Sequence, residues 1–184
     1  MENKPLYYLT ASLLNAWLGG YDSFYDMLYR RETAPNKAMQ AGLDFENRAI
    51  NGEIAELKPY VDGALYQAFV CKECNGYMLL GFCDLINRDT IYDLKFVSNY
   101  EIGKYNNSVQ HLIYLYCTDM EKFEYIIGCG KDLYFEKQPR NDEKLKATIN
   151  QFVSWLERMN LVEVYRQNYS VERYKEQIDN YLNW

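Results

Sequence analysis

Residues 81–97 read GFCDLINRDTIYDLKFV, and this stretch decides the fold. Apolar segments lie on both sides of the polar tetrapeptide 87–90, which is the pattern of two antiparallel strands joined by a tight turn. A turn centred in this tetrapeptide pairs residues whose numbers sum to 177. Asp84 and Asp93 would then lie directly opposite each other, with Cβ atoms about 5 Å apart.

Lys95 follows Asp93 by two residues, so its side chain is expected on the same face of the sheet. Two carboxylates that oppose each other on a sheet are destabilising unless something compensates their charge. An ordinary ion pair on a solvated face is the plain alternative, but carboxylates embedded in apolar strands are costly unless they are paired or coordinated. Because hard divalent cations prefer oxygen ligands, the pattern favours a metal site formed by Asp84 and Asp93.

The rest of the chain divides into three parts. Residues 8–60 carry apolar side chains at helical spacing, residues 64–136 have the pattern of strands with one helix near 108–117, and residues 141–184 are again helical. A chain of 184 residues supports one substantial core, so we expect one domain over 1–184. The predicted fold class is α+β, with a central mixed sheet that begins as an antiparallel meander and is flanked by helices.

The spacing Gly81-x-x-Asp84 followed by Asp93-x-Lys95 resembles the PD-(D/E)XK nuclease superfamily, especially its RecB-like and phage-exonuclease-like branch. Three further motifs agree with this resemblance, which covers residues 8–135, and their order makes the combination more specific than any one of them. Two departures are the absence of a proline before Asp84 and an aspartate, not a glutamate, at Asp93. The further motifs are TASLL at 10–14, GLDFE at 42–46 and QHLIY at 110–114.

The resemblance implies a restriction-endonuclease-like fold and metal-dependent hydrolysis of DNA phosphodiester bonds. It implies that Asp84 and Asp93 bind Mg²⁺ or Mn²⁺ together with Glu46 and the backbone carbonyl of Leu94. The ion would lower the pKa of a bound water and stabilise charge on the scissile phosphate. Lys95 would hold that water or help to deprotonate it.

The helix after the Asp-x-Lys strand carries the Gln-x-x-x-Tyr motif. By the same resemblance Gln110 and Tyr114, one helical turn apart, position the substrate backbone or a neighbouring side chain. The alternative is that Tyr114 belongs to the core and Gln110 caps a strand. His111 is the only histidine, and it is expected at a partly exposed helix position beside the site. A Ser/His or Cys/His mechanism would depend on His111 alone and is disfavoured.

The nuclease role itself is predicted by analogy with the branch. The leading expectation is an exonuclease that acts on duplex ends in phage-type recombination or repair. Alternatives are a structure-specific endonuclease, a CRISPR-adaptation-type nuclease and, from another class, a catalytically inactive DNA-binding or interaction domain on the same fold. DNA is the expected partner, while a homo-oligomer and a recombination partner protein are left open.

The net charge of −6 argues against a passive DNA-binding module and gives no support to membrane-surface binding. It argues less against a metal nuclease, because bound cations supply local positive charge. Candidates for contacts to phosphates are Lys95, Arg30, Arg31, Lys37 and the stretch 131–146.

Five cysteines and the absence of signal-peptide features in residues 1–5 predict a cytoplasmic protein with reduced thiols. Cys71 precedes a predicted hairpin turn over 72–76 that contains Cys74, and the two cysteines resemble half of a zinc knuckle. A structural zinc is disfavoured because no second such pair exists. No cysteine precedes Cys71 or follows Cys129, so no iron–sulfur cluster is expected. No apolar run approaches the ~20 residues of a membrane helix.

Overall fold

The computed structural model describes residues 6–20 and 22–183. The signal-peptide expectation for residues 1–5 and the predicted end of the last helix at Trp184 lie outside these residues. Within them the chain forms six strands, eight α-helices and two short 3₁₀ helices. In chain order these are β1 (Tyr8–Leu9), α1 (Ala11–Leu18), α2 (Ser23–Leu28), α3 (Lys37–Ile50), a 3₁₀ helix (Ala55–Leu57), α4 (Lys58–Val61), β2 (Leu65–Cys74), β3 (Tyr77–Asn87), β4 (Thr90–Phe96), α5 (Gln110–Thr118), β5 (Lys122–Cys129), β6 (Asp132–Gln138), α6 (Asp142–Arg158), α7 (Val162–Asn168), a second 3₁₀ helix (Val171–Tyr174) and α8 (Lys175–Leu182).

The six strands form one mixed sheet in the order β1-β3-β4-β5-β6, and β2 pairs with β3 in addition. The β2–β3–β4 segment is an antiparallel meander, β5–β6 is antiparallel, and β1–β3 and β4–β5 are parallel. Because β2 covers one edge of β3, β1 and β4 share the other edge, at residues 78–79 and 85–87 respectively. The predicted α+β class with a mixed central sheet is confirmed.

The two faces of the sheet bury separate apolar clusters. Alternation of side chains along β5 places Ile127 in the larger cluster and its neighbour Ile126 in the smaller one. The larger cluster lies under α1, α5 and α6, while the smaller one lies against α3 and α4 and contains Phe45 and Leu57. Helices therefore flank the sheet on both faces.

The helix starts follow local capping chemistry. The Thr10 side chain accepts a hydrogen bond from the backbone N–H of Leu13 at the start of α1, 3.3 Å away. The Asn36 side chain accepts one from Met39 at the start of α3, 2.9 Å away. Each cap satisfies an N–H group that has no partner inside the helix. These caps fix where the helices that carry the opening and acidic motifs begin.

The predicted five-residue turn over 72–76 is wrong, because β2 continues to Cys74. The turn consists of Asn75 and Gly76, whose φ angles of +52° and +80° are those of a two-residue hairpin turn. An Asn-Gly pair adopts this conformation readily, so two residues suffice to reverse the chain. Cys71 and Cys74 are consequently buried strand residues that pair with β3.

The prediction of a partly exposed His111 is also wrong. Helix α5 contacts α1, α6 and the strands β2, β3 and β5, so few of its positions face solvent. His111 is 3% exposed and its ring lies 5.9 Å from the Phe123 ring, centroid to centroid. Burial, with a smaller contribution from the charge of Lys144, lowers the pKa of His111 to about 4.

This burial makes His111 a source of acid sensitivity. Between pH 6.5 and 4 the unfolded chain binds a proton at this residue and the folded chain does not. The stability contributed by neutral His111 is therefore complete above pH 6.5 and is lost as the pH falls towards 4. We expect His111→Leu to reduce the drop in the free energy of unfolding between pH 7.5 and 4.5 by about 2 kcal/mol, as urea denaturation would measure. If the free energy of unfolding falls equally with pH in the wild type and in His111→Leu, His111 is not a source of acid sensitivity.

Candidate active site

The two central carboxylates lie where β3 and β4 separate. The strands pair residues 85–87 with 90–92, in the predicted register of residue numbers that sum to 177. The ladder stops one pair before Asp84 and Asp93. There Oδ2 of Asp84 accepts a hydrogen bond from the backbone N–H of Leu94, at 2.8 Å. A side chain thus takes the place of a strand partner, and the strands fork at the acidic pair.

The β2–β3 ribbon is kinked at the same point. Every residue of β2 except Gln67 has a partner in β3, and the position that Gln67 would face is Asp84. Gln67 has a φ of +47°, a left-handed conformation that strand residues rarely adopt. Cys83 and Leu85, two residues apart, lie in the different clusters of the two sheet faces. The alternation of side chains is therefore interrupted at Asp84.

Asp93 is fully buried, with 0% exposure, and its two oxygens have different partners. Oδ1 accepts a hydrogen bond from Nε2 of Gln110 at 2.6 Å. Nζ of Lys95 lies 2.5 Å from Oδ2 and lowers the pKa of Asp93 through its charge and as a hydrogen-bond donor. Asp93 is thus held by an amide at one oxygen and by the lysine at the other.

The pKa shifts of Asp84, Asp93 and Lys95 show that the site has too little positive charge to neutralise both carboxylates. Burial and then the charge of Asp93 raise the pKa of Asp84 to about 8, although Lys95 and the Leu94 N–H oppose this shift. Burial also raises the pKa of Asp93, against the opposing effect of Lys95. For Lys95 burial lowers the pKa, but Asp93 and Asp84 outweigh it and the net shift is upward. One lysine is shared by two carboxylates, so the site favours an additional proton or cation.

Tyr114 is a core residue, 5% exposed, and its hydroxyl lies 3.3 Å from Nε2 of Gln110. Its ring packs on Gly81, where an added Cβ would be 2.5 Å from Cε1 of the ring. The glycine of the Gly81-x-x-Asp84 motif therefore makes room for the tyrosine of the Gln-x-x-x-Tyr motif. Gln110, from the same motif, contacts Asp93. The helix motif therefore helps to hold the acidic pair in place.

We expect Gly81→Ala to destabilise the protein by about 1–3 kcal/mol, because the new methyl group must displace a buried ring. Gly42→Ala on α3 is the matched control. Its Cβ would meet nothing within 4 Å, and alanine should stabilise the helix by about 0.5–1 kcal/mol. Urea denaturation of both variants measures the difference. If Gly81→Ala and Gly42→Ala have equal free energies of unfolding, the Tyr114 ring moves aside without an energetic cost.

Glu46 on α3 is near enough to Asp84 for its charge to affect the pKa of that carboxyl. Helix α3 is fixed to the sheet by Phe45, whose ring occupies the space above Gly128, 2.6 Å from where a Cβ would stand. The Glu46 carboxylate accepts a hydrogen bond from the Gln67 amide, and its charge makes the smallest contribution to the raised pKa of Asp84. In residues 6–20 and 22–183, however, no three His, Cys, Asp or Glu side chains lie close enough together to form a metal-binding group.

Sequence reasoning missed Gln67. It belongs to a strand of ordinary composition, and no motif includes it. The one signal that could have identified it is its register position opposite Asp84, which requires the β2–β3 turn to be placed correctly at Asn75 and Gly76.

The basic residues predicted to contact phosphates are differently placed. Lys95 is in the site. The Arg30 guanidinium lies over the Tyr169 ring, 4.1 Å from its centroid, and Arg31 pairs with Asp26 at 3.3 Å. In the 131–146 stretch, Arg140 is held by three acidic side chains. Arg30, Arg31 and Arg140 are therefore engaged in contacts within the chain.

The residues of the site fit a hard divalent cation. Asp84 and Asp93 supply oxygen atoms only, and Lys95 is the one positive charge among the described residues that lowers their pKa values. Their excess negative charge is the condition that a cation relieves. Oxygen donors of this kind suit Mg²⁺ or Mn²⁺, not the softer metals that prefer thiolates.

No helix in the described part of the chain is both long and apolar enough to cross a membrane.

Comparison with known proteins gives matches among solved structures alone. No family model matches the chain. No curated protein matches it either. An alkaline exonuclease (LHK-Exo) from Laribacter hongkongensis matches with a TM-score of 0.57 and 13% identity, over 96% of this chain and 95% of that one. The structure of LHK-Exo in complex with dAMP gives 0.58 and 14%, over 87% and 92%.

A third structure, SSO0001, matches with a TM-score of 0.59 and 16% identity, over 84% of this chain and 77% of that one. At such identities the likeness establishes the fold. The chain has the fold of the LHK-Exo and SSO0001 structures, so at the level of the fold the resemblance to the phage-exonuclease-like branch is confirmed.

Proposed function

We propose that this chain is a metal-dependent nuclease that hydrolyses phosphodiester bonds in DNA. The observation that carries the proposal is the forked strand pair, where Asp84, Asp93 and Lys95 lie together and Gln110 holds one carboxylate. A fold alone does not determine an activity, so the argument depends on these residues. The likeness to an exonuclease whose structure contains dAMP, a nucleotide, supports DNA as the substrate.

The chain's own residues have distinct roles in this proposal. A bound Mg²⁺ or Mn²⁺ would supply Lewis-acid chemistry and a water of lowered pKa. Asp84 and Asp93 would hold the ion, and Gln110 fixes the Asp93 carboxylate by its hydrogen bond to Oδ1. The carboxylate neighbours of Lys95 raise its pKa in the metal-free protein. Its positive charge would orient the attacking water and neutralise charge on the phosphate.

Within this class we propose an exonuclease that works on duplex ends, in phage-type recombination or repair, in the cytoplasm. The support is the shared fold with an alkaline exonuclease over nearly the whole length of both chains. The acidic net charge agrees with a site that needs its cation to approach a polyanion.

The test compares linear and circular forms of one duplex, incubated with Mg²⁺, with Mn²⁺ and with chelator. We expect the linear form to be degraded to nucleotides only when metal is present, while the circle stays intact. Cleavage of the circle would indicate an endonuclease. Tight DNA binding without cleavage under any metal would favour an inactive DNA-binding domain on the same fold.

A further inference from the structure

Gln67 has a backbone conformation that needs an explanation. Its φ of +47° lies in the left-handed region, in the middle of β2, where side chains other than glycine are strained. Glycine would adopt this φ without penalty. The chain nevertheless has a glutamine here, and its side chain is exposed and so contributes little to the core. Backbone strain of this kind is concentrated at functional sites.

The side chain connects two parts of the candidate site. By register Gln67 is the residue of β2 that faces Asp84. Its amide Nε2 donates a hydrogen bond to Oε1 of Glu46 on α3. The left-handed backbone and the amide together join the strand edge at Asp84 to the third acid.

We propose that Gln67 is a positioning residue that fixes the Glu46 carboxylate beside the Asp84–Asp93 cation site. The proposal rests on the proposed function, because it requires a cation there. The amide occupies one oxygen of Glu46 and leaves the other for the ion or for a water bound to it. Without this bond Glu46, which is only half-buried, would sample other rotamers. Partners that orient metal ligands in this way contribute strongly to metal affinity.

Two variants test the proposal. Gln67→Asn keeps an amide and tolerates a positive φ, but it is one methylene shorter. Gln67→Gly relieves the strain and removes the amide. We expect both variants to be at least as thermally stable as the wild type in the metal-free form and to bind Ca²⁺ about 10-fold or more weakly in calorimetric titrations. In a Glu46→Gln background the same substitutions should change the affinity less than about 2-fold, because the coupled partner is already altered.

The outcomes separate the two proposals. If Asp84→Asn abolishes Ca²⁺ binding while both Gln67 variants bind like the wild type, the positioning role is overturned and the cation site stands. If the Gln67 variants weaken binding equally with and without Glu46→Gln, Gln67 acts through the backbone and not through Glu46. If Asp84→Asn binds Ca²⁺ like the wild type, there is no cation site at this position and both proposals fail.

Discussion

Asp84→Asn should reduce DNA cleavage by about a thousand-fold and leave the metal-free protein at least as stable as the wild type. Because the folded-state pKa of Asp84 is raised to about 8, the stability it contributes is greatest at low pH and is lost as the pH rises through that value. The raised pKa favours the protonated carboxyl, and asparagine resembles that form. Its Oδ1 can still accept the bond from the Leu94 N–H. Cleavage assays and urea denaturation at pH 7 and 9 measure both effects.

The matched control is Asp44→Asn, an exposed carboxylate on α3 that accepts a bond from Gln40. It should retain full cleavage and wild-type stability. If Asp84→Asn unfolds the protein, the Asp84 carboxylate has a structural role that an amide does not replace, and the site loses its main support as a metal centre.

The register of the central hairpin could be predicted because it depends on local chemistry alone. A tight turn over 87–90 fixes which residues face each other, and the pairing of 85–87 with 90–92 follows. What the sequence could not reveal is where the ladder opens. The Asp84 side chain accepts a hydrogen bond from the backbone N–H of Leu94. Asp84 and Asp93 do not form a pair in the strand ladder. The left-handed backbone at Gln67, which faces Asp84, is likewise marked by no periodicity.

The contacts of the acidic side chains differ in how readily they could be predicted from the sequence. Gln110 and Asp93 are 17 residues apart, and only a family resemblance pointed to Gln110. Gln67 and Glu46 are 21 residues apart with no such guide. The prediction of a partly exposed His111 was wrong for a related reason, since the burial of this residue depends on how many elements pack around α5. Local patterns specify helices, turns and strand faces, while neighbours across elements follow from packing.

Lys95→Met should have the opposite effect on stability from Asp84→Asn. The substitution removes the cation 2.5 Å from a fully buried carboxylate. Breaking a buried pair by removing one partner costs about 3–5 kcal/mol, because the other charge is left uncompensated. We therefore expect Lys95→Met to lower the free energy of unfolding by about 3 kcal/mol and to abolish cleavage. Urea denaturation and the linear-duplex assay measure the two effects.

Lys122→Met is the control, because its pair with Asp89 has the same 2.5 Å distance but both side chains are exposed. That pair should contribute little to stability, because solvent screens both charges. Adding Asp93→Asn to Lys95→Met should restore most of the lost stability, since no buried charge remains, while cleavage stays absent. If the double variant is as unstable as Lys95→Met alone, packing of the lysine stem and not its charge holds the site together. If cleavage survives in Lys95→Met, Lys95 has no part in the chemistry.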